Sequence, residues 1–206
     1  GPYTLEISEG VNLVIETTTD CRIYANGDLT IKGPGTLTIV VNHTETEDDS
    51  LQTWGIYSSG TVTINAVSDI QVNVTSSNGT YTANGNQSVG VYGTSITFGA
   101  DSDIYAGNRA VYSSGTITVN TGVTVDAAAY EKAIRGTVSS SNLVVNGTLN
   151  ASLLAGHGDN VQGNNDRFGI KTGIIKVNSG ATVNSEGVFI FGEGSTVEGT
   201  LNVQYN

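Results

Sequence analysis

The sequence predicts an all-β fold: a single-stranded parallel β-helix, or β-solenoid, of about eight coils in one domain spanning residues 1–206. The strongest observation is an internal repeat, because GIYSSGTVTIN at 55–65 returns as AVYSSGTITVN at 110–120 and, more loosely, as GVYGTSITFG at 90–99. Apolar and polar residues alternate within each repeat, as in half-buried strands. The chain has 27 Gly and no Met, a composition poor in helix formers. A β-sandwich or a β-propeller is the rival architecture, but a sandwich does not require the near-identical repeat of an eleven-residue motif.

The repeats can be placed in order along the chain. Residues 3–16, YTLEISEGVNLVIE, alternate like two strands and are expected to form the N-terminal coil. Each later unit starts with an inward aliphatic residue, and these starts are Ile23, Ile56, Val91, Val111, Ile134 and Ile170. The final LNVQYN ends on polar residues that would blunt the last strand edge.

One corner of each coil is predicted to have a fixed length. Inward residues on either side of it lie six positions apart at Ile31–Leu37, Ile64–Ile70, Phe98–Ile104, Val119–Val125 and Val177–Val183, and four apart at Val145–Leu149 and Val197–Leu201. The surplus residues of the longer units fall after the third strand, at 42–54, 75–88 and 151–168. Because equivalent positions of stacked coils lie above one another, these three long loops are expected on one edge, as a wall.

The charge balance bears on possible partners. Eight Lys plus Arg against nineteen Asp plus Glu give a net charge of -11, which repels nucleic acid and anionic membrane surfaces. No apolar run approaches the roughly 18 residues of a membrane span. We therefore expect neither nucleic acid binding nor membrane insertion. The sequence does not indicate the oligomeric state.

An outward row of aromatic and basic residues is the candidate binding surface. If the unit starts point inward, the residues after them point outward, and these are Tyr24, Tyr57, Tyr92, Tyr112, Arg135 and Lys171. Tyrosine rings stacked at the solenoid spacing offer flat apolar faces for sugars, and the cations beside them favour uronic acids. Trp54, at the end of the first long loop, joins this ligand-binding set. The alternative is that the tyrosines only stabilise the solenoid.

Two groups of acidic residues are candidate calcium ligands. The first long loop carries Asp48 and Asp49, and a corner of neighbouring coils carries Asp69, Asp101 and Asp103. Ca²⁺ takes about six to eight oxygen ligands, which adjacent loops can pool. Solvated loops and ordinary turn chemistry explain the same acids equally well.

The residues CRIYANGDLTIKGPGTLTI, followed by GIYSSGTVTI, resemble secreted bacterial β-helix proteins classed as carbohydrate-binding domain proteins. Units of that family carry a similar aliphatic-x-x-x-Gly-Asp-Leu-Thr-Ile pattern, followed by Gly-Thr-Leu-Thr-Val. The resemblance is clear over residues 3–41 and weaker to about residue 190. It implies a right-handed parallel β-helix like that of pectate lyases, polysaccharide binding and, in some members, bound calcium. No metal motif of the family matches here residue by residue, and the tyrosine-rich unit starts depart from its pattern.

We therefore expect a non-catalytic polysaccharide-binding module of a secreted or cell-surface bacterial protein. The first alternative is a structural or adhesive solenoid with a protein partner, and the second is a calcium-dependent polysaccharide lyase. A lyase of this fold needs an Arg or Lys base near a carboxylate-held calcium ion. Arg109, Lys132 and Arg167 are candidates, but their positions in the sequence are not expected to converge on one acidic cluster.

Overall fold

The computed structural model describes residues 1–18, 23–45, 53–76, 88–137, 140–154 and 167–204. These residues form strands and turns, with no helix among them. All strand pairs are parallel, and each coil adds one strand or strand segment to each of three faces. The predicted parallel β-helix is confirmed.

The first face comprises β1 (Tyr3–Glu6), the first parts of β4 (Leu29–Glu45) and β6 (Thr61–Ser76), β8 (Ser95–Phe98), β11 (Thr116–Val119), β14 (Asn142–Val145), β17 (Ile174–Val177) and β20 (Thr196–Val197). The second face comprises β2 (Asn12–Thr17), the later parts of β4 and β6, β9 (Ser102–Ala106), β12 (Thr124–Ala129), β15 (Thr148–Leu153), β18 (Thr182–Glu186) and β21 (Thr200–Gln204). The third face comprises β3 (Ile23–Ala25), β5 (Thr53–Ser58), β7 (Ser88–Gly93), β10 (Arg109–Ser113), β13 (Lys132–Gly136), β16 (Phe168–Lys171) and β19 (Val188–Ile190). The prediction of about eight coils is confirmed, because the first two faces each have eight such segments in the described chain.

Stacked aliphatic side chains fill the interior between the three faces. The predicted unit starts are register partners along the third face, from Ile23 through Ile56 and Val91 to Ile170. Most of these side chains are completely buried, as is Phe98 on the first face. Burying each such side chain contributes roughly 1.5–3 kcal/mol, and only the neighbouring coils can bury it.

Serine residues at the corner between the first and second faces show that the predicted fixed corner length is wrong. Val125 pairs with Ser102 and Ser102 with Ser68, so these serines begin the second-face strands in their coils, two residues before Ile70 and Ile104. Both serines are buried, and each hydroxyl donates to the carbonyl oxygen two residues earlier, at 2.8 and 3.2 Å. The corner therefore takes four residues in these two coils and six in the coil of Val125.

The six-residue corners contain glycines with a left-handed backbone. Gly33 has a φ of 120° and Gly122 a φ of 76°, a region that side chains rarely tolerate. A Cβ atom on Gly33 would also collide with the carbonyl oxygen of Ile7. The two additional residues of these corners are thus accommodated by a glycine turn.

The strand ends that flank the three long loops lie along one sheet edge. Glu45, which ends β4, pairs with Ser76, which ends β6. Farther along the same edge, Leu153 near the third loop pairs with Ala129 of β12. The anchors agree with the prediction that the loops leave one edge, whereas the wall itself lies outside the described residues.

Candidate functional site

Strands of the third face carry the candidate site because a local irregularity turns two nearby side chains outward. Gly55 and Ile56 both face the interior, and a Cβ atom on Gly55 would lie 2.7 Å from Cγ2 of Ile70. Two consecutive inward residues interrupt the alternation of the strand. Consequently Trp54 and Tyr57 lie on the outer side together, both half-buried.

The predicted outward row is present, and we call it the third-face row: Tyr24, Tyr57, Tyr92, Tyr112, Arg135 and Lys171 are register partners in this order. The first three rings are nearly parallel. Tyr24 and Tyr57 stack with ring centroids 5.0 Å apart at 9°, and Tyr57 and Tyr92 with centroids 5.1 Å apart at 14°. The centroid spacing follows the roughly 4.8 Å spacing of neighbouring strands.

The indole of Trp54 braces this stack from the side. Its ring meets Tyr57 and Tyr92 edge-on, at 73° and 63°, with centroids 5.1 Å away in both cases. Edge-to-face contacts of this kind stabilise aromatic pairs by about 0.5–1.5 kcal/mol beyond their burial. The sequence placed Trp54 in the binding set, but its contact with two tyrosines depends on the strand irregularity at Gly55.

Tyr92 lies between Tyr57 and Tyr112 in the stack. Burial raises the pKa of the Tyr92 phenol, and the neighbouring phenols of Tyr112 and Tyr57 raise it further. The phenol therefore stays protonated at neutral pH, and its hydroxyl can both donate and accept hydrogen bonds.

At Tyr112 the parallel stacking of the rings ends, and two arginine side chains contact the row. The Tyr112 ring is tilted 57° from that of Tyr92, with centroids 5.2 Å apart. The guanidinium carbons of Arg109 and Arg135 lie 5.0 and 5.4 Å from the centroid of the Tyr112 ring. Both distances fall within the range of cation–π attraction. The aromatic half of the row thus leads directly into a basic half.

A buried polar cluster lies behind the basic half of the row. Lys132 is the register partner of Arg109, and its ammonium donates to Oε2 of Glu131 at 2.9 Å. The Asn108 amide donates to the same oxygen. The Lys132 and Glu131 side chains are only 5% and 6% exposed. Arg109 and Lys132 thus lie on neighbouring strands of the third face, whereas the predicted acids Asp69 and Asp103 lie on the second face.

The Arg167 side chain bonds to the backbone rather than to a carboxylate. Its Nε donates to the backbone oxygen of Tyr130 at 3.0 Å, and its Nη2 donates to that of Leu154, also at 3.0 Å. These bonds tie together two strand ends beside the third long loop. Arg167 thus acts as a structural clamp.

The predicted acidic residues split between two locations. Asp69 and Asp103 are register partners on the second face, and Asp126 extends their row by one strand. Asp101 lies at the corner, where its Oδ1 accepts the backbone N–H of Thr124 at 2.7 Å. All four carboxylates line a shallow groove of about 490 Å³.

Several of these carboxylate oxygens already have protein donors. Gln71 Nε2 donates to both oxygens of Asp69 at 3.2 and 3.3 Å, and Asn150 Nδ2 donates to Asp126 Oδ1 at 2.6 Å. Burial raises the pKa of the Asp103 carboxyl, followed by its acidic neighbours Asp69 and Asp126. In the described part of the chain, no three His, Cys, Asp or Glu residues form a group that could hold a metal ion.

Calcium binding stays a prediction, because two of the candidate ligands, Asp48 and Asp49, lie outside the described residues.

A row of hydrogen-bonded side chains that the sequence did not reveal continues from the acids, and we call it the amide ladder: Asp126, Asn150, Asn184 and Asn202. Each asparagine donates from Nδ2 to the next side-chain oxygen, at 2.8 Å from Asn202, 2.7 Å from Asn184 and 2.6 Å from Asn150. Each asparagine is the third residue of its strand, and this shared position could have predicted the row from the sequence.

Across the residues that the structure describes, no helix has both the length and the apolar character needed to cross a membrane. The chain matches no protein-family model, no curated protein and no solved structure. The resemblance to carbohydrate-binding β-helix proteins therefore stays a prediction from the repeat pattern.

Proposed function

We propose that this chain is a non-catalytic polysaccharide-binding module of a secreted or cell-surface bacterial protein. One observation carries the proposal: three tyrosine rings lie nearly parallel along a straight row and are braced by a tryptophan. The stacked ring faces contact one another, so a ligand meets the outer edges of the rings, where phenol hydroxyls can donate to and accept from sugar hydroxyls. A straight row with a constant repeat suits a linear polymer better than a compact small molecule.

The exposure of the row fits a ligand that lies on a surface. Tyr24 is 67% exposed, whereas Tyr57 and Tyr92 are half-buried. The rings are thus held in place at one end of the row and open to solvent at the other. Preorganised side chains lose little conformational entropy when a ligand binds, which favours affinity.

The positions of the described ionisable groups support binding without cleavage. Near the third-face row, the described carboxylate is that of Glu131, which is buried and bonded to Lys132 and Asn108. The acids of the second face lie on another side of the solenoid. A general acid or base needs hydrogen-bond reach of the scissile bond, so neither group suits a chain lying on the tyrosines.

The test is a glycan array of neutral and acidic polysaccharides, probed with the purified protein in calcium and again in chelator. We expect binding to at least one linear polymer and no new reducing ends or unsaturated products after long incubation. The double variant Tyr57→Ala with Tyr92→Ala should lose binding by about tenfold or more, because each stacked aromatic contributes of the order of 1 kcal/mol. Tyr105→Ala is the matched control, since Tyr105 is half-buried on the second face, away from the third-face row.

Retained binding in the double variant, with a native circular dichroism spectrum, would overturn the tyrosine row as the site. Product release by the native protein would overturn the non-catalytic assignment and favour a lyase. Loss of binding only in chelator would instead support the calcium prediction.

A second candidate function is an adhesive solenoid that binds another protein. The observation in its favour is the combination of Trp54, tyrosines and Arg135 on one face, since Trp, Tyr and Arg dominate the energetic centres of protein interfaces. Absence of glycan binding in both calcium and chelator would favour this alternative.

A further inference from the structure

The basic residues of this acidic chain are concentrated near one end of the proposed site. The protein has eight Lys plus Arg in a net charge of -11, and a group of them lies on or beside three adjacent strands of the third face. This group comprises Arg109, Lys132, Arg135, Arg167 and Lys171. A local basic surface on an acidic protein attracts anions that the rest of the molecule repels.

Two members of this group are occupied by the protein itself. Lys132 is buried against Glu131, and Arg167 donates to two backbone carbonyl oxygens. Arg135 and Lys171 are different, because both are half-exposed and neither forms a salt bridge with a residue in the described ranges. Within the described ranges, no carboxylate neutralises either charge.

Arg135 and Lys171 are held in place by ring faces. The Arg135 guanidinium lies over Tyr112, and the Lys171 ammonium lies 4.5 Å from the centroid of the Phe168 ring. A cation held over a ring keeps N–H groups free to donate outward. Guanidinium and ammonium donors form strong, charge-assisted hydrogen bonds with carboxylate and sulfate oxygens.

The two cations also continue the tyrosine row without a break. Tyr112 pairs in register with Arg135, and Arg135 pairs with Lys171, at the strand spacing of roughly 4.8 Å. A linear polymer lying on Tyr24, Tyr57 and Tyr92 therefore runs onto Arg135 and Lys171.

We propose that the third-face row binds acidic polysaccharides, with sugar hydroxyls at the phenol edges of the tyrosines and anionic groups, carboxylate or sulfate, at Arg135 and Lys171. This inference rests on the proposed function, since it names the class of polymer that the same site takes. The two ends of the row therefore differ: the aromatic end contacts sugar hydroxyls through its phenol edges, and the basic end binds the anionic groups.

The experiment compares polymers that differ in charge. Dissociation constants are measured, in chelator and at low and high salt, for polygalacturonate and its methyl ester, and for dextran sulfate and dextran. The native protein should bind at least one anionic polymer about tenfold or more tightly than its uncharged counterpart, because a charged hydrogen bond contributes about 1.5–3 kcal/mol. Salt should weaken that preference.

The decisive variant is Arg135→Gln with Lys171→Gln. It should lose the preference for the anionic polymer while keeping the affinity for the uncharged one. The matched control is Lys32→Gln with Lys176→Gln, which removes two exposed charges from the first face. We expect the control to change affinity by no more than about twofold, because solvent and salt screen distant charges.

The outcomes separate this inference from the proposed function. Equal affinity of the native protein for charged and uncharged polymers, or an equal loss in the control, would overturn the anionic site. If the Tyr57→Ala, Tyr92→Ala double variant still lost binding in that case, the proposed polysaccharide-binding function would stand, and only the preference for anionic polymers would be rejected. A preference for dextran sulfate alone would support the site and assign it to sulfate, whereas polygalacturonate alone would assign it to uronates. Failure to bind any of the four polymers overturns the inference.

Discussion

The second and third faces each carry an outward row of side chains at the strand spacing. The polar groups of the second-face row bond to one another, whereas those of the third-face row remain open to a partner. In the amide ladder of the second face, each asparagine donates to the side chain on the neighbouring strand. On the third-face row, the tyrosines contact one another through their ring faces. Ring stacking leaves phenol edges for other partners, whereas the ladder uses its amides internally. One solenoid thus has a row that mainly stabilises the coils and a row suited to a ligand.

The ladder also shows why it ends where it does. Each amide is both donor and acceptor, but an ionised carboxylate only accepts. Asp126 therefore closes the chain of donors that starts at Asn202. On the strands beyond Asp126, the row continues with Asp103 and Asp69, so that carboxylates, which only accept hydrogen bonds when ionised, lie next to one another. The second face changes from mutual hydrogen bonding to repulsion within one row.

A substitution in the hydrophobic core that all the faces share should lower the free energy of unfolding more than any other change proposed here. Phe98→Ala empties a completely buried position behind the stacked strands. We expect the free energy of unfolding to fall by about 3–5 kcal/mol, because the lost burial is added to the cost of a cavity. Urea unfolding measures the change. Phe191→Ala is the control, since that side chain is 53% exposed and should cost far less.

The amide ladder should matter to stability and not to binding. Asn150→Ala with Asn184→Ala removes all three hydrogen bonds of the ladder. At roughly 0.5–1.5 kcal/mol for each bond, the free energy of unfolding should fall by about 2 kcal/mol. Polysaccharide affinity, measured under conditions where the variant is folded, should be unchanged.

Asn142→Ala, on the first face, is the control for the ladder, because its side chain makes no hydrogen bond with a described residue. A similar loss of stability in this control would mean that the ladder has no special role.

The third-face row should show the reverse behaviour. Tyr57→Ala removes two stacked contacts and the edge contact with Trp54. Since Tyr57 is only half-buried, we expect the three contacts to count at the low end of their range, for a loss of about 1.5 kcal/mol in stability together with a marked loss of polysaccharide affinity. Tyr57→Phe keeps the ring and should restore stability. Thermal unfolding and a binding titration on the same samples separate the two effects.

The sequence predicted the third-face row because the row depends only on local alternation after a recognisable unit start. The same logic failed at the first corner, where Ser68 and Ser102 point inward. An inward serine looks like a surface residue until its hydroxyl is seen to bond a corner carbonyl. Apolar patterns therefore fix inward positions only where the inward residue is apolar.

The site was predictable in outline for a similar reason, and its details were not. Stacking of Tyr24 on Tyr57 follows from register, whereas the approach of Arg109 and Arg135 to Tyr112 depends on side-chain directions across three strands. The amide ladder was missed because unequal unit lengths place Asn150, Asn184 and Asn202 34 and 18 residues apart. Rows made of residues far apart in the sequence can be identified only when the pairing register of the strands is known.

The smallest expected effect tests the boundary between the amide ladder and the acids above it. Burial and two acidic neighbours raise the pKa of Asp103 above its ordinary value of 3.8. The folded protein thus holds this proton more tightly than the unfolded chain, so the contribution of Asp103 to stability falls as the pH rises from about the ordinary value through the raised one. Above both values its charge is unfavourable in the fold.

Asp103→Asn should therefore stabilise the protein at neutral pH, and the gain should vanish as the pH falls below 3.8, where the native carboxyl is also neutral. Because the carboxyl is largely exposed, we expect a gain of less than about 1 kcal/mol. Urea unfolding of both proteins between acid and neutral pH measures it. Asp101→Asn removes the same charge from the same groove, but its oxygen accepts the Thr124 amide. An equal gain in that control would trace the effect to the net charge of the protein rather than to the row of acids.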